Sequence, residues 1–243
     1  MKKTILNNAF QWTSLIFILL IGVPSLAQQT VKADAIISAI KKGKDITYKD
    51  VTITGVLDLT FMNEKLPDLP KKRKWWKNGG SNTVKESIDS KISFVNCTFK
   101  NDVLAYIHDE DSGYTFIANF EEDVIFKNCR FKGDAMFKYS GFEGTADFSH
   151  ATFEKSTTFK YADFDTKANF ANTVFEEDAI FKYTEFKNGV SFNDARFKEN
   201  LNIKYTQVNG DFDIKGMKVA RDIDSKYTDI NGKGLSNYLI NKN

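Results

Sequence analysis

The residues that could carry catalysis or bind a metal ion are few and scattered. The two histidines, His108 and His150, lie in unrelated sequence contexts, and no Ser-His-Asp set, glycine-rich phosphate loop or Cys/His metal-binding spacing is present. The acidic runs at 109–111, 121–123 and 176–178 lack the complete calcium-binding loop pattern and are typical of solvated corners. Because catalysis needs converging groups, the sequence predicts a protein that is not an enzyme and has no cofactor and no metal site.

The two cysteines, Cys97 and Cys129, each stand two residues before a phenylalanine, in a position that elsewhere holds Ala, Ser or Thr. This pattern favours two buried thiols that act as small apolar side chains. A disulfide is the alternative in an exported protein, and it requires the two positions to be near neighbours. An insertion between them in the sequence leaves their proximity undecided.

A basic segment with two tryptophans is the strongest local candidate for binding. This basic–Trp segment consists of Lys71, Lys72, Arg73, Lys74, Trp75, Trp76 and Lys77. Trp beside Lys and Arg suits an anionic interface, where the ring lies at the headgroup level and the cations meet phosphate, and the same rings could stack on sugars. The alternative is that the tryptophans pack on the protein while the lysines only solvate a surface loop, and the sequence does not decide between the two.

A Lys-Tyr pair that recurs every 22 residues is the second candidate. If successive coils stack, these pairs form a Lys–Tyr column, which consists of Lys138, Tyr139, Lys160, Tyr161, Lys182, Tyr183, Lys204, Tyr205, Lys226 and Tyr227. Such a column could dock a linear polymer or a partner protein. The alternative, which the sequence favours, is that stacked tyrosines stabilise neighbouring coils while Asp163, Glu185 and Asp229 offset the repulsion between the lysines.

The elements that position these residues are predicted by the spacing of phenylalanine. From Phe126 to Phe197, phenylalanine recurs at alternating steps of five and six residues, and the residue two before each one is small or β-branched. Inward-facing side chains at i−2 and i are typical of a β-strand, and the spacing differs from the 3.6-residue period of a helix. Aliphatic residues continue the pattern forward to Ile230 and back to Ile46.

The motifs Ala146-Asp147-Phe148, Ala162-Asp163-Phe164 and Ala168-Asn169-Phe170 resemble those of the pentapeptide-repeat family. The resemblance covers most of residues 46–230 and is most specific between 118 and 219. It implies an all-β fold, a right-handed quadrilateral β-helix, and the handedness comes from the resemblance alone. Because this chain adds one residue at every second side, one coil should take about 22 residues, the spacing of the Lys-Tyr pairs.

The remaining segments are predicted to export the chain and to cover its ends. Residues 1–27 resemble a signal peptide, with Lys2 and Lys3 before an apolar run and Ser25-Leu26-Ala27 at the cleavage site. Residues 28–45 are predicted to form an N-terminal cap helix, because apolar residues share one helical face in 32–42. The β-helix then spans 46–230 with insertions near 62–91 and 106–116, and 231–243 form a C-terminal cap or tail.

The charge balance restricts the function. The chain has 34 Lys+Arg and 32 Asp+Glu, and cleavage would remove Lys2 and Lys3 and leave it formally neutral. This argues against nucleic-acid binding through a basic surface and against the acidic DNA mimicry known from the family. We expect an exported periplasmic or secreted scaffold without catalytic activity that binds a protein partner or an anionic envelope polymer. The alternatives are a structural spacer and an accessory module of an enzyme system. Peripheral membrane contact and a homodimer are both compatible with the sequence. No transmembrane segment is expected in the mature chain.

Overall fold

The computed structural model describes residues 29–70 and 82–239, and most of this part of the chain is built from very short strands. They form four sheets, in which nearly all neighbouring strands are parallel. Sheet I consists of Gln29–Lys32, Val51–Thr54, Thr98–Phe99, Arg130–Phe131, Thr152–Phe153, Val174–Phe175, Arg196–Phe197 and Lys218–Val219. Sheet II consists of Thr83–Ile88, Tyr106–Asp109, Tyr114–Phe120, Gly141–Phe142, Asp163–Phe164, Glu185–Phe186, Gln207–Val208 and Asp229–Ile230.

The other two sheets have seven strands each. Sheet III consists of Ile46–Lys49, Ile92–Val95, Val124–Lys127, Ala146–Asp147, Ala168–Asn169, Val190–Ser191 and Phe212–Asp213. Sheet IV consists of Leu57–Asp58, Val103–Leu104, Ala135–Met136, Thr157–Thr158, Ala179–Ile180, Leu201–Asn202 and Ile223–Asp224. The chain visits sheets III, I, IV and II in turn and then returns to III. The prediction of an all-β chain of stacked parallel strands is therefore confirmed.

The strand register aligns each core phenylalanine with another one. In sheet I, Phe131 pairs with Phe153, and Phe153 pairs with Phe175. The same alignment holds in sheet II, where Phe142 pairs with Phe164. Because side chains two residues apart in a strand lie on one face, the central coils, from Phe126 to Phe197, send a phenylalanine and a small or β-branched residue into the interior at each sheet.

The interior is filled by stacked rings. Phe170, which is fully buried, stacks on Phe148 at 5.2 Å and on Phe192 at 5.4 Å between ring centroids. Rings from different sheets meet edge to face, as Phe170, which follows a strand of sheet III, does with Phe159 and Phe181, which follow strands of sheet IV, at 5.2 Å. Such offset and edge-to-face arrangements are the ones that aromatic rings prefer.

The segment predicted as an insertion near 62–91 contains a strand of the β-helix. Residues 62–68 form two short helical turns, Met62–Lys65 and Leu66–Asp68, but Thr83–Ile88 pairs in parallel with Tyr114–Phe120 in sheet II. The predicted boundary at 91 is therefore wrong. This strand has no phenylalanine, and only Ile88 is fully buried, so the apolar spacing that marks the other strands is absent.

The segment predicted as a loop at 106–116 is a β-hairpin. Tyr106–Asp109 pairs antiparallel with Tyr114–Phe120, and Gly113 turns the chain with a positive φ of 73°. The hairpin lengthens one coil, so that Phe99 pairs with Phe131, 32 residues further along. The loop prediction is wrong because the spacing of the core residues carries no information about pairing outside the coil.

A helix lies near each end of the described part, but the predicted N-terminal cap helix over 28–45 is wrong at its start, where Gln29–Lys32 pairs with Val51–Thr54 as a strand of sheet I. Ala33–Ile40 forms a helix that buries Ala33, Ile36 and Ile40 against the first strands, and Gly43 follows it with a positive φ of 65°. At the other end, Ser236–Leu239 forms a single turn. There, Tyr238 contacts Phe212 edge to face at 5.3 Å. No helix of the described residues is long and apolar enough to cross a membrane.

Candidate functional site

The tyrosines of the Lys–Tyr column share an unusual backbone conformation. All five tyrosines have a positive φ, which is 62° at Tyr139 and 60° at Tyr161 and Tyr183. This left-handed conformation turns the chain between sheets IV and II, and it costs a bulky L-residue roughly 1–2 kcal/mol. The comparable turn between sheets III and I uses residues that tolerate a positive φ, such as Asn128, Asn172 and Gly216. The backbone conformation of the turn between sheets IV and II therefore does not explain why tyrosine occurs there.

The five tyrosine rings form one continuous stack. The ring centroids of successive tyrosines are 4.7, 4.6, 4.7 and 4.8 Å apart, and the first three ring pairs are parallel to within 4°. An aromatic pair contributes about 0.5–1.5 kcal/mol, so the stacking is of the same size as the backbone cost and offsets it. The stack is therefore close to neutral for stability, and it does not by itself explain why tyrosine recurs in every coil.

The geometry of the tyrosine stack determines which ligands it can bind. The faces of the inner rings are covered by their neighbours, so sugars and nucleic-acid bases cannot stack on them. Solvent reaches the exposed parts of the rings, and 40% of Tyr139 and 61% of Tyr227 is accessible. The column therefore offers ring edges and hydroxyl groups in a row with a spacing of about 4.8 Å.

Each lysine of the column lies beside the tyrosine that follows it. The Nζ atoms lie 4.9–5.5 Å from the ring centroids, which is within the range of a cation–π contact. Burial, followed by the charges of Lys138 and Lys182, lowers the pKa of Lys160. The lysines therefore repel one another along the column, and the tyrosine rings provide partial compensation.

The expected neutralisation of the column by carboxylates is not found. Among the described residues, none of the five column lysines forms an ion pair. Asp163 instead pairs in register with Glu185 of the next coil, and burial, together with that neighbouring charge, raises the pKa of Asp163. Lysines elsewhere on the surface do pair between coils, for example Lys187 with Asp165 at 2.7 Å.

The hairpin adds one residue to the column that the sequence pattern did not indicate. The ring of Tyr106 lies 5.9 Å from that of Tyr139, and Lys138 donates a hydrogen bond of 3.2 Å to the Tyr106 hydroxyl. Together with His108 of the hairpin, these residues line a surface groove at the start of the column. Tyr106 lies in the segment predicted as a loop, so the 22-residue repeat of Lys-Tyr pairs could not reveal it.

The basic–Trp segment, 71–77, lies outside the described residues. Its flanks are held close to the hairpin: the Tyr114 hydroxyl donates to the carbonyl of Pro70 at 3.2 Å, and the Asn82 side-chain amide donates to that of Gly113 at 3.4 Å. Pro70 and Asn82, the described residues on either side of the segment, therefore both lie beside the hairpin.

The structure does not bring the two histidines into one site. His108 lies on the hairpin, where its Nδ1 is 2.9 Å from the hydroxyl of Thr115, whereas His150 occupies a turn between sheets III and I with a φ of 58°. Within residues 29–70 and 82–239, no group of three or more His, Cys, Asp or Glu side chains could hold a metal ion.

The fold and the column define the class of protein: a parallel β-solenoid with a phenylalanine-filled interior and a repeating cationic and aromatic surface. Residues 118–163, 137–185 and 159–207 match the family model described as pentapeptide repeats (nine copies). This match over residues 118–207 confirms the resemblance of the sequence motifs to the pentapeptide-repeat family. No curated protein and no solved structure matches the chain.

Proposed function

We propose that this protein is an exported, non-catalytic β-helix scaffold whose Lys–Tyr column binds a linear anionic polymer of the cell envelope. The observation that carries the proposal is the row of five lysines that lack an ion pair among the described residues, although other surface lysines pair between coils. A polymer with regularly spaced negative charges would supply the missing counter-charges. The tyrosine hydroxyls would donate hydrogen bonds beside them.

The proposal includes the shape and the repeat length of the β-helix. The four sheets would be the faces of a right-handed quadrilateral coil with one turn every 22 residues, the interval between Phe131 and Phe153. A straight coil of this kind keeps the column linear, with one lysine about every 4.8 Å. A linear chain could then contact all five lysines at once, whereas a compact ligand would reach only one or two.

Export and the lack of catalysis rest on different observations. Export to the periplasm or out of the cell is supported by the signal-like pattern of residues 1–27. A non-catalytic role is supported by the interior of residues 29–70 and 82–239, where stacked phenylalanines fill the space in which reacting groups would have to converge.

Calorimetric titration with polygalacturonate, a linear polymer with one carboxylate per sugar, tests the binding. The column variant combines Lys160→Gln, Lys182→Gln and Lys204→Gln. A matched control combines Lys155→Gln, Lys187→Gln and Lys198→Gln, which removes the same charge from ion-paired lysines. Exposed ion pairs contribute about 0.2–1 kcal/mol each, so we expect the column variant to bind about 3- to 150-fold more weakly.

The control variant should bind within a factor of about two of the unmodified protein, and binding should weaken as salt is raised. Equal losses in the two variants would show that only net charge matters and would reject the column as the site. If the unmodified protein binds neither polygalacturonate nor other anionic polymers, the scaffold is a spacer or binds a protein partner. A turnover that co-purifies with the protein would contradict the non-catalytic role.

A further inference from the structure

The two cysteines are 32 residues apart in the sequence, but each directly precedes one of two neighbouring strands of sheet I, with Cys97 next to Thr98 and Cys129 next to Arg130. Residues on both sides of them pair between the same two coils: Lys127 with Val95, and Arg130 with Thr98. The backbone amide of Arg130 also donates a hydrogen bond of 2.8 Å to the carbonyl of Cys97. Cys129 therefore lies opposite Cys97, one coil away.

The side chains of the two cysteines have the same orientation. Cys97 Sγ lies 3.6 Å from the carbonyl oxygen of Tyr48, and Cys129 Sγ lies 3.4 Å from that of Phe94. Tyr48 and Phe94 are themselves partners in the register of sheet III, so the two thiols occupy equivalent positions in successive coils. Neighbouring strands are about 4.8 Å apart, a distance within the range of about 4.4–6.8 Å that disulfide-linked Cα atoms span.

We propose that Cys97 and Cys129 form a disulfide that links two successive coils when the exported chain folds in an oxidising compartment. The site is favourable for the reaction because the two thiols occupy equivalent positions in neighbouring coils, at a strand spacing within the Cα–Cα range of a disulfide. Only 1% of Cys97 and 2% of Cys129 is exposed, so exchange takes place while the coils form or open locally. The closed bond is then shielded from reductants.

The chemistry needs an external disulfide as the oxidant. The Cys97 thiolate attacks one sulfur of that disulfide, which breaks its S–S bond, releases one thiolate and leaves a mixed disulfide on Cys97. Cys129 loses its proton and attacks the Cys97 sulfur, which forms the internal bond and releases the second thiolate. The two electrons thus pass to the external disulfide, which becomes two thiols. A hydrogen bond with Cys129 lowers the pKa of Cys97, and burial raises the pKa of Cys129, so the two thiols suit the attacking and the resolving role respectively.

The bond would close a coil that carries the hairpin. The segment between the cysteines contains the strands Tyr106–Asp109 and Tyr114–Phe120, and the hairpin that they form lengthens this coil. A longer loop costs more entropy to close, so the disulfide would stabilise the part of the solenoid in which the repeat is interrupted.

Refolding in a glutathione buffer tests the proposal. The reduced, unfolded protein is refolded with oxidised and reduced glutathione, alkylated in denaturant and weighed by mass spectrometry. A matched control combines Cys129→Ala with Ala151→Cys; Ala151 lies in the same buried position one coil further on, so this variant keeps two thiols but places them two coils apart. The folded state is verified in each case by circular dichroism.

We expect the unmodified protein to be two hydrogens lighter and to take up no alkyl group until it is reduced. Its melting temperature should fall on reduction. The control variant should not form an internal bond and should retain two alkylatable or glutathione-linked thiols. Two free or glutathione-linked thiols in the folded unmodified protein would overturn the proposal, and so would internal closure in the control variant to the same extent. If the reduced chain does not refold, the same labelling of protein isolated from the periplasm or the medium decides between these outcomes.

Discussion

Replacing Phe170 by alanine should create a cavity that the solenoid cannot close. The ring of Phe170 is fully buried between those of Phe148 and Phe192, and the rings of Phe159 and Phe181 meet it edge to face from sheet IV. The backbone hydrogen bonds hold the coils at their spacing: the amide of Phe148 donates to Asn169 at 2.8 Å, and that of Phe170 donates to Ser191 at 2.8 Å. Neighbouring coils therefore cannot move together to fill the space.

Removal of a buried phenylalanine typically costs about 3–5 kcal/mol, and the rigid surroundings place Phe170→Ala towards the upper end of this range. The matched control is Phe212→Ala, because Phe212 is only partly buried in the last strand of sheet III. The cost there should be about half as large or less, since only part of the ring leaves water on folding.

The measurement is urea unfolding followed by circular dichroism, with native-state hydrogen exchange as a second probe because a repeat protein can unfold in parts. Exchange should accelerate first in the strands that contact Phe170. A loss of less than about 1 kcal/mol, or a loss equal to that of the control, would refute the stacked interior described here.

Three further predictions concern the small core position, an ion pair and the basic–Trp segment. Ala168→Leu should lower the free energy of unfolding in urea by about 1–3 kcal/mol, because Ala168 is fully buried and the larger side chain overpacks its position. An unchanged midpoint of urea unfolding would place this residue outside the interior. A hydrogen bond from Lys91 lowers the pKa of Asp123 to about 2, so the stability that Asp123 contributes is present above its unfolded pKa near 4 and is lost as the pH falls through 2. Asp123→Asn should lower the melting temperature at pH 7, by an amount that corresponds to less than about 1 kcal/mol, and by less at pH 2, where the carboxylate is partly protonated; an equal effect at both pH values would contradict this reasoning. Anionic vesicles should shift the tryptophan fluorescence of the mature protein to the blue, and replacing the four consecutive basic residues of the segment by serine should abolish the shift. An unchanged spectrum of the unmodified protein would mean that the segment does not bind the vesicles.

Much of the fold was predictable because the interior of a solenoid imposes one rule on every coil. A large and a small residue must alternate at each face, so the spacing of Phe126, Phe148 and Phe170 predicts stacked strands without any long-range information. The rule fails where a strand has no phenylalanine, as in Thr83–Ile88, and where the chain pairs outside the coil, as in the hairpin at Tyr106–Phe120. These two segments account for the errors in the predicted insertions.

The candidate sites were predicted less completely, because their properties depend on relations between coils. The 22-residue repeat identifies the lysines and tyrosines of the column, but it cannot show that the ring faces cover one another or that Asp163 pairs with Glu185 instead of a column lysine. It also gives no reason to include Tyr106, which reaches the column through the hairpin.

The sequence by itself determined which side chains are repeated, how far apart they are and therefore which residues face the interior, because these properties follow from the local alternation of a β-strand. The tertiary structure alone decided which residues of different coils become neighbours. Cys97 and Cys129 illustrate the difference, since the hairpin between them adds residues to the coil and yet leaves the strand register intact. Contact across coils depends on the backbone hydrogen bonds between strands, which align residues regardless of the length of chain that separates them.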